Sequence, residues 1–181
     1  MDIPAVNLEP DAALPWDYAE WGRLQGAMLR LQSTAQATPR VLVVDDDPAT
    51  RLLYALNLEL EGLLVLEAAD GRSGLARALE ELPDLVLTDV TMPGVDGFQL
   101  AEALSADPRT RGIPFIFLSG ETADGHEARA HELGALAYLT KPVDVRALAA
   151  LVADVFANSD RLTQPPALPG DGAMPVSDSP A

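Results

Sequence analysis

Asp45, Asp46, Asp89, Ser119 and Lys141 lie far apart in the chain, yet each comes at or just beyond the end of a short apolar run. The two acids follow Arg40–Val44 (RVLVV), Asp89 follows Leu85–Thr88, Ser119 follows Ile113–Leu118 (IPFIFL), and Lys141 lies just past Ala137–Leu139. Carboxylates gathered from separate stretches repel each other, and either a proton or a bound cation relieves the repulsion. A hard ion such as Mg²⁺ takes one or two carboxylates together with waters and phosphate oxygens. Asp45, Asp46 and Asp89 can supply such a set and still leave one carboxylate free to attack a phosphoryl group in line, forming an acyl phosphate. The equatorial oxygens then need a cation and a hydrogen-bond donor, and Lys141 and Ser119 are residues of those types. Lys141 is the only lysine among 12 basic residues. Its compact ammonium is not interchangeable with a guanidinium fork.

These residues must be positioned by the elements around them. The apolar runs, with Leu63–Leu66 as one more, predict five short strands. Between them the periodicity predicts helices. Pro48 suits the first turn of a helix with Leu52, Leu53, Leu56 and Leu60 on its apolar face, stopped at Gly62. A second starts at about Gly71 with Leu75, Ala78, Leu79 and Leu82 inward. Phe98–Leu104, Glu127–Leu133 (stopped by Gly134) and Asp144–Phe156 follow. Almost wholly apolar strands alternating with amphipathic helices imply an α/β fold, a parallel sheet covered on both faces. In such sheets ligands gather beyond the carboxyl ends of the strands, where the five polar residues fall.

Each residue also has an ordinary explanation when taken alone. The Asp45–Asp47 cluster suits a helix N-terminus, and Asp89 can cap a turn through the amide of Thr91 or Met92. Ser119 suits a turn, Lys141 an exposed charge, and Tyr138 a half-buried strand position. What single residues leave open, their joint order at strand ends favours as chemistry. Asp47 is read as helix-start chemistry alone. His126 and His131, five apart, are poorly spaced for chelation on one helix face and are expected to face solvent.

Segments 41–48 (VLVVDDDP), 84–97 (DLVLTDVTMPGVDG), 114–120 (PFIFLSG) and 138–142 (YLTKP) closely resemble the marker blocks of bacterial response-regulator receiver domains. The resemblance covers residues 40–158. It implies a doubly wound, flavodoxin-like sheet of order 2-1-3-4-5, with Asp89 as phospho-acceptor. It further implies that Asp46 ligates Mg²⁺ directly, Asp45 through water, and the Thr91 backbone carbonyl as well. Ser119 and Lys141 would bind the phosphoryl group, Tyr138 would be the aromatic switch residue, and the Lys141–Pro142 peptide would be cis. Thr91 and Glu121, two positions beyond Asp89 and Ser119, would tune phosphoryl lifetime. The implied partners are a histidine kinase or a histidine phosphotransfer protein, with an unidentified downstream protein target.

Bulk properties limit the alternatives. The 181 residues carry a net charge of −16, which argues against direct nucleic-acid binding. No apolar run is long enough to span a bilayer. The absence of cysteine excludes disulfides and thiolate metal sites and fits a cytoplasmic protein. Residues 1–39 read as an extension with one amphipathic helix, Asp17 to Gln36, bearing Trp21, Leu24, Met28 and Leu31 on one face. Residues 159–181, rich in proline and small polar residues, read as a disordered tail. The reading is of a switch, not an enzyme. A Mg²⁺-dependent phosphohydrolase of haloacid-dehalogenase type, using Asp45 and Asp47, is the alternative of another class. A phosphate-relay intermediate, a scaffold that is never phosphorylated, and a homodimer also remain open.

Overall fold

The computed structural model describes residues 38–120 and 125–157. Both terminal segments, with the expected helix at 17–36 and the expected tail, lie outside the described residues, as does Glu121. Within them the chain alternates strand and helix: β1 (Arg40–Val44), α1 (Pro48–Leu60), β2 (Leu64–Ala68), α2 (Gly71–Glu81), β3 (Leu85–Asp89), α3 (Gly97–Ala106), β4 (Phe115–Ser119), α4 (His126–Glu132), β5 (Ala137–Thr140) and α5 (Val145–Ala157). The strands pair in parallel in the order β2-β1-β3-β4-β5. This is the doubly wound arrangement that the sequence predicts.

Because side chains alternate across a strand, each inner strand feeds two cores. Val41, Val43, Leu85, Leu87, Ile116 and Leu118 pack on one face with Tyr54 and Leu58 of α1 and Leu148, Ala149 and Val152 of α5. Leu42, Val44, Val86 and Phe117 pack on the other with Phe98, Leu100 and Leu104 of α3, Ala78 of α2 and Ala130 of α4. Both faces being covered explains why β3 and β4 are buried at every position.

Helix starts are set by local chemistry. Asp47 caps α1 by accepting the Thr50 N–H, with Pro48 in its first turn. Asp70 and Asp96 cap α2 and α3 in capping boxes with Ser73 and Gln99. At the end of α1, Gly62 adopts φ +81°, the left-handed conformation that glycine takes without steric cost.

The expected apolar face of α1 is not the buried one. Leu52, Leu53, Leu56 and Leu60 do not face the core; they are 53, 47, 50 and 82% exposed. The buried face of α1 is Tyr54, Ala55 and Leu58. The helix has apolar residues on two opposite sides, and periodicity picks the stripe richer in leucine. The other stripe, with Tyr54 and Leu58, packs against the sheet beside Val41, Val43 and Leu85.

Candidate functional site

β1 delivers Asp45 to the carboxyl end of the sheet as a buried carboxylate, 1% exposed. Its Oδ1 accepts the Asp47 N–H at 2.9 Å, and its carbonyl accepts Arg51 Nη1 at 2.7 Å. Arg51 also reaches Glu67 on β2 at 3.2 Å, so one side chain joins the loop after β1 to the neighbouring strand. Asp46 is exposed beside it. Asp89 is the last residue of β3 and 7% exposed; its Oδ1 accepts the Thr91 N–H at 3.2 Å. The start of α3 presses against the backbone here. A Cβ at Gly97 would lie 2.2 Å from the Asp89 carbonyl oxygen, so this approach requires glycine.

Lys141 directly follows β5 and is joined to Pro142 by a cis peptide; its N–H donates to the Ser119 carbonyl at 2.7 Å. Its Nζ lies 2.9 Å from Asp45 Oδ2 and 2.7 Å from Asp89 Oδ2, bridging the two buried acids. Burial pushes the Asp45 carboxyl above its usual range, although the bond from Lys141 draws it back in part. Burial likewise opposes the charge on Lys141, but the paired carboxylates outweigh it and raise the ammonium's pKa. Ser119 is fully buried at the end of β4. Tyr138 on β5 is half-buried, pairs in register with Phe117 and packs against the core on the α3 side.

Each of Asp45, Asp46 and Asp89 offers a carboxylate oxygen, and these lie within 4.8 Å of one another. Three carboxylates against one ammonium leave two negative charges over, 3 − 1 = 2, on hard oxygen donors. That donor set fits a divalent ion of the Mg²⁺ type.

The family model described as the response regulator receiver domain matches residues 41–153. The chain belongs to that family. Among curated relatives of this receiver domain, Protein PilH of Pseudomonas aeruginosa is 39% identical over 65% of this chain and 98% of its own length. The DNA-binding dual master transcriptional regulator RpaA of Synechocystis is 40% identical over 70% of this chain. Response regulator PleD of Caulobacter vibrioides is 43% identical over 58%. The chain spans about half the length of RpaA and about a quarter of PleD, 52% and 23%. Chemotaxis protein CheY4 of Vibrio cholerae has a similar solved structure, with a TM-score of 0.61 and 31% identity over 66% of this chain and 99% of its own.

In this receiver domain the fold therefore gathers Asp45, Asp46, Asp89 and Lys141, and ends β4 with Ser119 next to them in strand order. Thr91 is exposed in the loop after β3, between the buried Val90 and Met92. Asp47, which the phosphohydrolase reading needs as a second acid, spends its carboxylate on the Thr50 amide and hydroxyl. In the sequence Gly97, with Pro93 and Gly94, is explained by a tight turn; the fold adds that its missing Cβ lets α3 approach the Asp89 carbonyl. Arg51 carries no local mark, because its partner Glu67 on β2 is adjacent only in the fold. His126 departs from expectation: its ring stands edge-on to Phe98 at 5.3 Å, half-buried, rather than facing solvent. His131 is exposed.

Proposed function

We propose that this chain is a phosphorylation switch that receives a phosphoryl group on Asp89 from a histidine kinase or a histidine phosphotransfer protein. The observation that carries the reading is the Lys141 ammonium held between Asp45 and Asp89 at 2.9 and 2.7 Å, beside a third carboxylate. An Asp89 oxygen attacks phosphorus as the donor's P–N bond breaks, the electron pair returning to the imidazole. Lys141 then turns from pairing carboxylates to pairing phosphoryl oxygens, and the Ser119 hydroxyl donates to another. Asp45, Asp46, Asp89 and the Thr91 carbonyl would hold Mg²⁺, whose charge offsets carboxylate repulsion and draws electron density from the phosphoryl oxygens.

Output follows from the same movement. A new dianion on Asp89 draws Ser119 toward it, and Tyr138, half-buried on the adjacent strand, moves into the space released. The surface of α4, β5 and α5 changes shape with it, and a protein target reads the difference. The group is consumed once per signal, so the chain acts as a switch rather than on a separate substrate.

Acetyl phosphate with Mg²⁺ should add one phosphoryl group, read as a mass increase on the intact protein, and Asp89→Asn should abolish it. Labelling of that variant at the wild-type level would place the acceptor elsewhere.

A further inference from the structure

Helix α1 is apolar on two sides. Tyr54, Ala55 and Leu58 are buried against the sheet, while Leu52, Leu53, Leu56 and Leu60 stand in solvent. At about 100° per residue the four leucines fill one arc directly opposite the buried face. A helix apolar on opposite sides is the pattern of one covered on both. A contiguous exposed stripe of large aliphatic side chains is a contact surface in waiting.

Among the described residues nothing covers that stripe, but the chain supplies a fitting segment next to it. The Leu64 N–H donates to the Pro39 carbonyl at 2.9 Å, so the chain enters β1 at the end of the sheet where α1 finishes. Leu60 is four positions before Leu64, across the Gly62 turn. From this point β1 runs away toward Asp45 and α1 runs back. A helix over residues 17–32 would measure about 24 Å against about 20 Å for α1. Its apolar residues, Trp21, Leu24, Met28 and Leu31, repeat at spacings of three and four. Trp21 to Leu31 would span about 15 Å, and Leu52 to Leu60 about 12 Å.

We infer that residues 17–32 dock as a helix along the outer face of α1, with Trp21, Leu24, Met28 and Leu31 covering Leu52, Leu53, Leu56 and Leu60. The entry point sets the direction. The two helices run parallel, Leu31 meeting Leu60 and Trp21 lying toward the start of α1. Residues 33–38, leaving the helix as an extended tether of about 23 Å, hold the segment at a high effective concentration at this face, which favours it over a second copy. Docked so, the Trp21 end sits near Asp46 and Asp47, at the rim of the acidic site.

The chain has no cysteine, so introduced pairs report proximity without interference. In the full-length protein, Leu31→Cys with Leu60→Cys should close an intramolecular disulfide under mild oxidation. Closure should be on the order of tenfold faster or more than for Leu31→Cys with Glu102→Cys, a control on the other face of the sheet. Equal rates, or a disulfide-linked dimer whose yield grows with concentration, would overturn the assignment, the dimer giving the face to a second copy. Both tryptophans, Trp16 and Trp21, lie in the N-terminal segment. With Trp16→Phe, Trp21 emission should be that of a shielded indole and should shift to the red when Leu53→Lys and Leu56→Lys are added. Water-like emission that ignores the added lysines would also refute it.

Discussion

The Lys141 ammonium separates two carboxylates that would otherwise face each other in a nearly dry pocket: its side chain is 23% exposed, against 1% and 10% for those of Asp45 and Asp89. Removing one member of a buried pair leaves the rest uncompensated, a loss of about 3–5 kcal/mol when burial is complete. Solvent around Lys141 screens part of that. Lys141→Met should therefore lower stability by about 2 kcal/mol without divalent ions, seen as a lower urea midpoint at an unchanged m-value. A midpoint equal to that of the wild type would show the bridge contributes nothing to the fold. Sequence reasoning reached this residue through its rarity and its place after a strand. It could not reach Arg51, whose bond to Glu67 depends on which strand lies beside β1.

At the scale of elements, what was legible was whatever a single periodicity decides. β1 and β3 begin where the apolar runs do, because central strands buried on both faces leave no polar alternation to confuse them. Ile113 and Pro114 precede β4 rather than opening it, although the Pro114 carbonyl still accepts the Val86 N–H at 3.0 Å and extends the ladder. The face of α1 was misread because two stripes compete. Helix caps, by contrast, are local and carry a pH signature. The Asp70 carboxylate is held below its ordinary range chiefly by the Ser73 N–H. A depressed carboxyl favours folding above its unfolded value, and the benefit disappears as pH falls through the folded one. Asp70→Ala should lower the melting temperature at neutral pH, and the gap from the wild type should close below about pH 4. A gap constant over that range would mean that the charge of the cap is irrelevant.

For the whole molecule the dominant quantity is the net charge of −16, which works against compaction in two separable ways. Repulsion among exposed acids is diffuse and is screened by any salt, over about 10 Å at 0.1 M ionic strength. Repulsion in the strand-end cluster is local, and relief there requires an ion small enough to sit among oxygens within 4.8 Å of one another. Sequence composition showed the first; the second depended on topology bringing β1 and β3 side by side. The two respond differently to the same experiment. Raising NaCl should raise the melting temperature gradually in the wild type and in Asp46→Asn alike. Replacing NaCl by MgCl₂ at equal ionic strength should add a further increment in the wild type, corresponding to about 1.4 kcal/mol of stability at ten times the dissociation constant. Asp46→Asn should lose most of that increment while keeping the response to NaCl, because it removes a ligand but leaves the rest of the surface charge in place. An increment of the same size in both proteins would assign the Mg²⁺ effect to the surface, and the acidic cluster would then not be a binding site.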